Sequence, residues 1–193
     1  MSDTSRLRQF GVTVAVVVSL VAAGPLVASA ATDGSIVADP ATPDSTAAHT
    51  ATVTVDGDAV GSSLNSLAVS YGESGTDISN VGQGDVRVVG IDRGDDADGA
   101  SVDESVADDV SSVGASDDGS TLTVGFGGNY QLQQGDEVVL VFEDTQNPAS
   151  AGDYPVELTV NAQSAGTTTD ASLAVAESAG DDSDDDCVEQ TDA

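Results

Sequence analysis

The sequence predicts an all-β chain, an antiparallel immunoglobulin-like β-sandwich of about seven short strands. Three observations predict it. Valine-rich clusters alternate with period two, as in Thr52-Val53-Thr54-Val55 and Thr121-Leu122-Thr123-Val124-Gly125-Phe126. Gly, Asp, Ser and Asn punctuate the chain at short intervals between those clusters. Helical spacing occurs in a single short stretch.

Taken in order, the chain opens on a targeting segment. Arg6 and Arg8 precede an apolar run from Val12 to Val27, which Gly24-Pro25 interrupts before Ala28-Ser29-Ala30. A charged start, an apolar middle and a small-residue end mark a secretory signal peptide over residues 1–30, cleaved after Ala30. An uncleaved anchor is the alternative, but Gly24-Pro25 breaks a run already short of the about 20 residues that span a membrane. A pilin-type signal is a further alternative, and no processing site precedes Gly11 to favour it. Residues 31–48 are rich in Ala, Thr, Ser, Asp and Pro and read as an exposed, flexible lead-in.

The sandwich is expected over residues 49–177. Its strands centre on Thr52–Val55, Leu64–Tyr71, Val86–Ile91, Thr121–Phe126, Val138–Phe142, Val156–Val160 and Leu173–Val175. The run Val138–Phe142 is continuous enough for a strand buried on both faces. Val102, Val106, Val110 and Val113 recur at helical spacing, so that stretch is expected as an irregular or partly helical connection. Residues 178–193 form an acidic tail expected to be disordered, and it holds the single cysteine, Cys187. A lone cysteine closes no internal disulfide.

Charge narrows the function classes. The 193 residues carry 34 acids against 4 arginines and no lysine, a formal charge of −30. Asp outnumbers Glu by 27 to 7. A nucleic-acid binder needs a basic footprint to displace counterions, and none exists here. A polybasic contact with an anionic membrane fails on the same ground. Signal cleavage leaves 33 acids against Arg87 and Arg93, a formal charge of −31. Such a chain repels itself in dilute salt, while molar salt shortens the Debye length to about 3 Å. An extreme halophile is the simplest setting. Biomineral-binding and calcium-buffering proteins are alternatives that usually concentrate their acids in longer runs.

Catalytic constellations are weakly supplied. His49 is the single histidine, no G-x-S-x-G elbow is present, and no lysine is available as a base. One histidine and one cysteine do not complete a zinc site. Carboxylate pairs are uninformative where acids are everywhere, and the expectation is a protein that is not an enzyme. The five rings after residue 30 are Tyr71, Phe126, Tyr130, Phe142 and Tyr154; most lie on strands, so a sugar platform has little support.

One loop gathers hard-cation ligands. Asp92, Asp95, Asp96 and Asp98 fall within seven residues, with Gly99 and then Asp103 following. Calcium takes about six to eight oxygens around a tight turn, which this set meets in part. Aligned by Gly99 to an EF-hand loop, the first ligand position falls on Gly94 and the last on Ser105, so the match is incomplete.

The segment Leu132–Phe142, then Thr145-Gln146-Asn147-Pro148-Ala149-Ser150-Ala151-Gly152-Asp153-Tyr154, resembles haloarchaeal cell-surface glycoprotein domains of the surface-layer type. A Gly-Asp turn leads into an apolar strand, and Asn-Pro and Gly-x-Tyr lead into an alternating one. The resemblance covers residues 120–176 and implies an extracellular immunoglobulin-like domain, with Tyr154 capping the sandwich end like a tyrosine corner. It implies no activity. The chain departs from full surface glycoproteins in lacking N-x-S/T sequons and a Pro-Gly-Phe sorting signal.

Together these observations lead to a secreted, extracellular, surface-associated structural or interaction protein. Its expected partners are surface-layer or other cell-surface proteins, or further copies of itself. No membrane insertion is expected after signal cleavage, and no cofactor beyond the candidate calcium. The alternative is a calcium-dependent adhesion or ligand-binding sandwich using Asp92, Asp95, Asp96, Asp98 and Asp103. For that alternative, calcium added at fixed high ionic strength raises the melting temperature of the parent protein and leaves Asp96→Asn/Asp98→Asn unmoved. An unmoved parent removes the calcium alternative.

Overall fold

A computed structural model describes residues 34–93, 100–164 and 166–177. Its strands are β1 (Gly34–Asp39), β2 (Thr46–Thr54), β3 (Ser66–Ser70), β4 (Val86–Asp92), β5 (Glu104–Ser105), β6 (Val110–Ser116), β7 (Thr121–Phe126), β8 (Glu137–Gln146), β9 (Gly152–Val160) and β10 (Thr167–Val175). They form two five-stranded sheets, ordered β1-β2-β8-β4-β5 and β10-β9-β3-β7-β6. Every pairing is antiparallel. The β-sandwich expected from the sequence is therefore present, built from ten described strands where about seven were expected. Among the described residues no helix is long and apolar enough to cross a membrane.

Period-two alternation decides which side chains enter the core. In β3, Leu67 and Val69 are buried while Ser66, Ala68 and Ser70 are partly exposed. In β7, Leu122, Val124 and Phe126 point inward, and in β9 Val156, Leu158 and Val160 do so. Their counterparts from the other sheet include Val53, Val89, Ile91, Val138, Leu140 and Phe142. In the middle of its sheet, β8 also buries Val139 on the opposite face, between Thr52 of β2 and Gly90 of β4. The expectation of a strand buried on both faces is met there.

Two expectations are corrected. Residues 34–48 were expected within a flexible lead-in, yet Gly34–Asp39 is a full strand paired with β2, and Ile36 and Ala38 are buried in the core. A short Ile-Val-Ala run offers little periodicity, and its stabilisation comes from β2 and from β10, to which it lies adjacent. Gly34 permits that approach, because a Cβ there would collide with the Thr169 side chain. The sandwich thus begins at β1 rather than at residue 49. The stretch around Val102–Val113 is not an α-helix. It comprises β5, a single 3-10 turn over Ala107–Asp109, and β6. Its helical spacing arises because Val106 is buried from the turn while Val110 and Val113 pack partly against the core from a strand bulged between Val110 and Ser112.

The signal peptide at 1–30, residues 31–33 of the lead-in and the tail at 178–193 lie outside the described residues.

Burial through β8 sets a stability expectation. Leu140 is fully buried in that strand, so Leu140→Ala should cost about 2–5 kcal/mol in denaturant unfolding at high salt. Val37 is 60% exposed on β1, and Val37→Ala should shift stability by no more than about 0.5 kcal/mol.

Candidate functional site

The base of the aspartate loop is the end of β4 and its short partner β5. Asp92 is buried and stands opposite Glu137 of β8. Arg93 follows it and organises the loop's footing. Its Nη2 donates to Glu104 Oε2 at 2.5 Å, and its Nη1 donates to Asp136 Oδ2 and, at 3.1 Å, to the Gln131 carbonyl. The Arg93 backbone N–H donates to Asp103 Oδ2 at 3.1 Å, and the Asp103 N–H donates to the Ile91 carbonyl at 3.1 Å.

Of the five candidate metal ligands, Asp92 and Asp103 therefore sit at the loop base. Asp95, Asp96 and Asp98 lie outside the described residues. Among the described residues, no group of three or more His, Cys, Asp or Glu side chains is placed to hold a metal ion. Glu104 and Asp136 join the site through Arg93, and sequence spacing did not single out Asp136. Its neighbours Gly135 and Glu137 were visible, but the pairing spans 43 residues and depends on β8 lying beside β4.

A second acidic region is an open depression of about 450 Å³ lined by Asp39, Asp85, Glu143 and Asp144 together with Thr46–Ala48. Arg87 borders it through an exposed ion pair with Glu143 at 2.6 Å. Exposed pairs of this kind contribute little stability, about 0–1 kcal/mol.

The strongest polar constellation is buried and centred on His49. His49, the first residue of the expected sandwich span, is a fully buried residue of β2. Its Nδ1 lies 2.5 Å from the Tyr71 hydroxyl, and its Nε2 lies 2.8 Å from Asn147 Oδ1. The Asn147 amide nitrogen donates to the Pro40 and Thr42 carbonyls at 2.8 and 3.0 Å, so its oxygen faces the histidine. That orientation fixes the tautomer: Nε2 carries the proton and donates, while Nδ1 accepts from the Tyr71 O–H. Burial raises the Tyr71 hydroxyl well above its ordinary range, which keeps it a donor. Burial also lowers the His49 pKa to about 4, against a smaller upward pull from Asn147. The chain Tyr71–His49–Asn147 therefore ties the 40–45 turn to the core with neutral groups and presents no nucleophile to solvent. Neither Tyr71 nor Asn147 showed this role in the sequence, where the only hint was the turn made by Asn147-Pro148.

Two further side chains fasten the sandwich ends. The Tyr154 hydroxyl donates to the Ser150 carbonyl at 2.7 Å, the bond back to the backbone that defines a tyrosine corner. Asn161, buried at a left-handed position with φ of 57°, accepts the backbone N–H groups of Asn65 and Ser66 and donates to Ser62 and Ser63.

Searches against protein-family models and curated proteins found no match. Among solved structures the chain is similar to BslA, a bacterial hydrophobin, at 17% identity and a TM-score of 0.41, covering 75% of this chain and 99% of that one. It is similar to BcpA, the major pilin subunit of Bacillus cereus, at 12% identity and a TM-score of 0.39, covering 69% of this chain and 35% of that one. A third similarity, at 13% identity and a TM-score of 0.37, is to ACE19, the collagen binding subdomain of the Enterococcus faecalis surface protein ACE. It covers 72% of this chain and 94% of that one. At such overlap these likenesses assign neither activity nor partner.

The buried histidine generates a pH expectation. The unfolded chain takes up its proton near pH 6.5, and the folded chain only near pH 4. Unfolding therefore binds a proton between these values, so the His49 contribution is complete above pH 6.5 and lost as pH falls towards 4. The full swing is on the order of 3 kcal/mol. Denaturant unfolding of the parent and His49→Gln across that range should show the parent losing more stability on acidification. Parallel curves would contradict the neutral-histidine assignment.

Proposed function

We propose that the chain is a secreted, salt-adapted structural or interaction protein of the cell surface, acting without catalysis. The distribution of carboxylates carries this reading. Among the described acids only Asp92, Asp109 and Asp136 are buried. Asp136 is engaged by Arg93 and by the Gln133 N–H at 2.7 Å. Asp109 accepts from the Asn129 side chain and, at 3.1 Å, from its backbone N–H. Asp109 and Asp136 thereby brace loops. The others lie at least partly in solvent, over a core of small aliphatic side chains.

A hydrated carboxylate shell around an apolar sandwich suits brine, where salt screens the repulsion that would otherwise oppose folding. The signal-like N-terminus and the resemblance to haloarchaeal surface-layer glycoprotein domains support an extracellular place for it. The interaction role draws on the sandwich itself, which among the described residues offers long strands and exposed edges rather than a deep cleft.

Fractionation of the producing cells tests the assignment: the mature chain is expected with the envelope or in an assembled state, and a freely dispersed monomer in the medium would overturn it. Salt adaptation has a separate readout. The denaturant midpoint should rise as sodium chloride is increased from about 0.1 M to about 1 M, over which the Debye length falls from about 10 to about 3 Å. A midpoint that falls or stays constant would remove the salt-adapted part of the proposal.

A further inference from the structure

The described strands at sheet edges are β1 and β5 in one sheet and β10 and β6 in the other. On one side of the sandwich β1 and β10 lie against each other, and each carries a carboxylate, Asp39 and Asp170. On the other side, β5 has only two residues. The longer edge on that side is β6. Its seven residues, Val110-Ser111-Ser112-Val113-Gly114-Ala115-Ser116, are all exposed except the half-buried Val110 and Val113.

Apart from one bulge, β6 also lacks the devices that ordinarily keep an edge from pairing. It contains no charged residue and no proline, and beyond its bulge at Val110/Ser112 it runs in regular register with β7 from Val113 to Ser116. In a chain with 34 acids, an uncharged edge of this length is the place where a like-charged molecule meets least repulsion. Both ends are fixed. Asp109, immediately before the strand, is held by Asn129, and its carbonyl accepts the Gly127 N–H at 2.9 Å. After the strand, the chain turns through Asp117–Gly119, and Ser120 Oγ donates to the Asp117 carbonyl at 2.8 Å. The edge is thus presented as a preformed ladder.

We propose that β6 pairs antiparallel with β6 of a second copy, about a two-fold axis through Val113, joining two five-stranded sheets edge to edge. This deepens the surface-assembly reading and rests on it for the choice of partner. The symmetric register sets Val113 opposite Val113, Ser112 opposite Gly114 and Ser111 opposite Ala115, so only small neutral side chains meet across the new ladder. An identical strand matches this edge in length and side-chain size. A basic peptide would find no carboxylate along the seven positions to read. Carboxylates lie only past the ends, at Asp108, Asp109, Asp117 and Asp118, where the register sets Asp109 towards Asp117 and Asp108 towards Asp118 of the second copy. Their repulsion is screened in molar salt. Self-association through β6 therefore strengthens as salt rises, whereas capture of a basic peptide would weaken.

Sedimentation velocity of the full exported chain, over a range of protein and salt concentrations, tests this directly. The expected result is a monomer–dimer equilibrium that tightens with sodium chloride. Ser112→Asp/Gly114→Asp places like charges opposite one another twice and should weaken the dimer by about tenfold at the lowest salt where the parent associates. Ser112→Asp/Gly114→Lys places opposite charges in those same pairs and should restore it. Position 114 has open space for a side chain, so these variants should keep the parent's circular dichroism and melting curve. A monomeric parent at every salt concentration, or a dimer indifferent to both variants, overturns the inference. Either outcome leaves the surface assignment to fractionation, which can fail independently by placing a dimer in the medium.

Discussion

The fold depends on β8. It is the longest of the described strands, it pairs with β2 on one side and β4 on the other, and its Val138, Leu140 and Phe142 supply the centre of one sheet's inner face. Hydrophobic burial is what opposes the self-repulsion of a chain with a formal charge of −30. The apolar side chains doing so are mostly Val, Leu, Ile and Ala, so no large ring anchors the interior except Tyr71 and Phe142 among the fully buried residues. Many small contributions replace a few large ones. Such a core needs two complete sheets to close around it, which explains why β1 belongs to the sandwich.

Most of this was legible because the period of two survives a biased composition. Thr121–Phe126 and Val156–Val160 alternate in the sequence and do so in space. β1 was illegible for a physical reason: its stabilisation comes from partners in β2 and β10, and a Ser-Ile-Val-Ala stretch beside prolines has little signal of its own. The valines at 102, 106, 110 and 113 misled in the opposite direction, since a 3-10 turn followed by a bulged strand reproduces helical spacing without a helix. Of the candidate site, the aspartate loop was visible by count, yet the residue that organises its base is Arg93, whose partner Asp136 is 43 positions away.

The polar interior was hidden in a different way. His49, Asn147 and Asn161 carry no sign of their roles in the sequence, and each becomes a fastening only once distant strands close around it. His49 and Asn147 are 98 residues apart, and Asn161 reaches back to Asn65 over 96. A buried polar group left unpaired costs more than a paired one contributes. These residues therefore select one arrangement of turns over others that would bury the same apolar area. The sheets supply stability, and the three amide and imidazole groups supply uniqueness at the sandwich ends.

The location of the arginines has a consequence for proteolysis. After residue 30, trypsin has only Arg87 and Arg93 to recognise, and both belong to β4 or its immediate end. A protease must draw an extended, unpaired stretch into its cleft, but β4 is paired with β8 on either side of a bulge at Arg87, and with β5 at Gly90 and Ile91. The Arg93 guanidinium is already occupied by Glu104 and Asp136. Cutting after Arg87, which lies within β4, requires β4 to leave β8, so fragments from that bond would count molecules whose central ladder has opened. The Arg87 bond is thereby withheld from arginine-specific proteases until the central ladder opens.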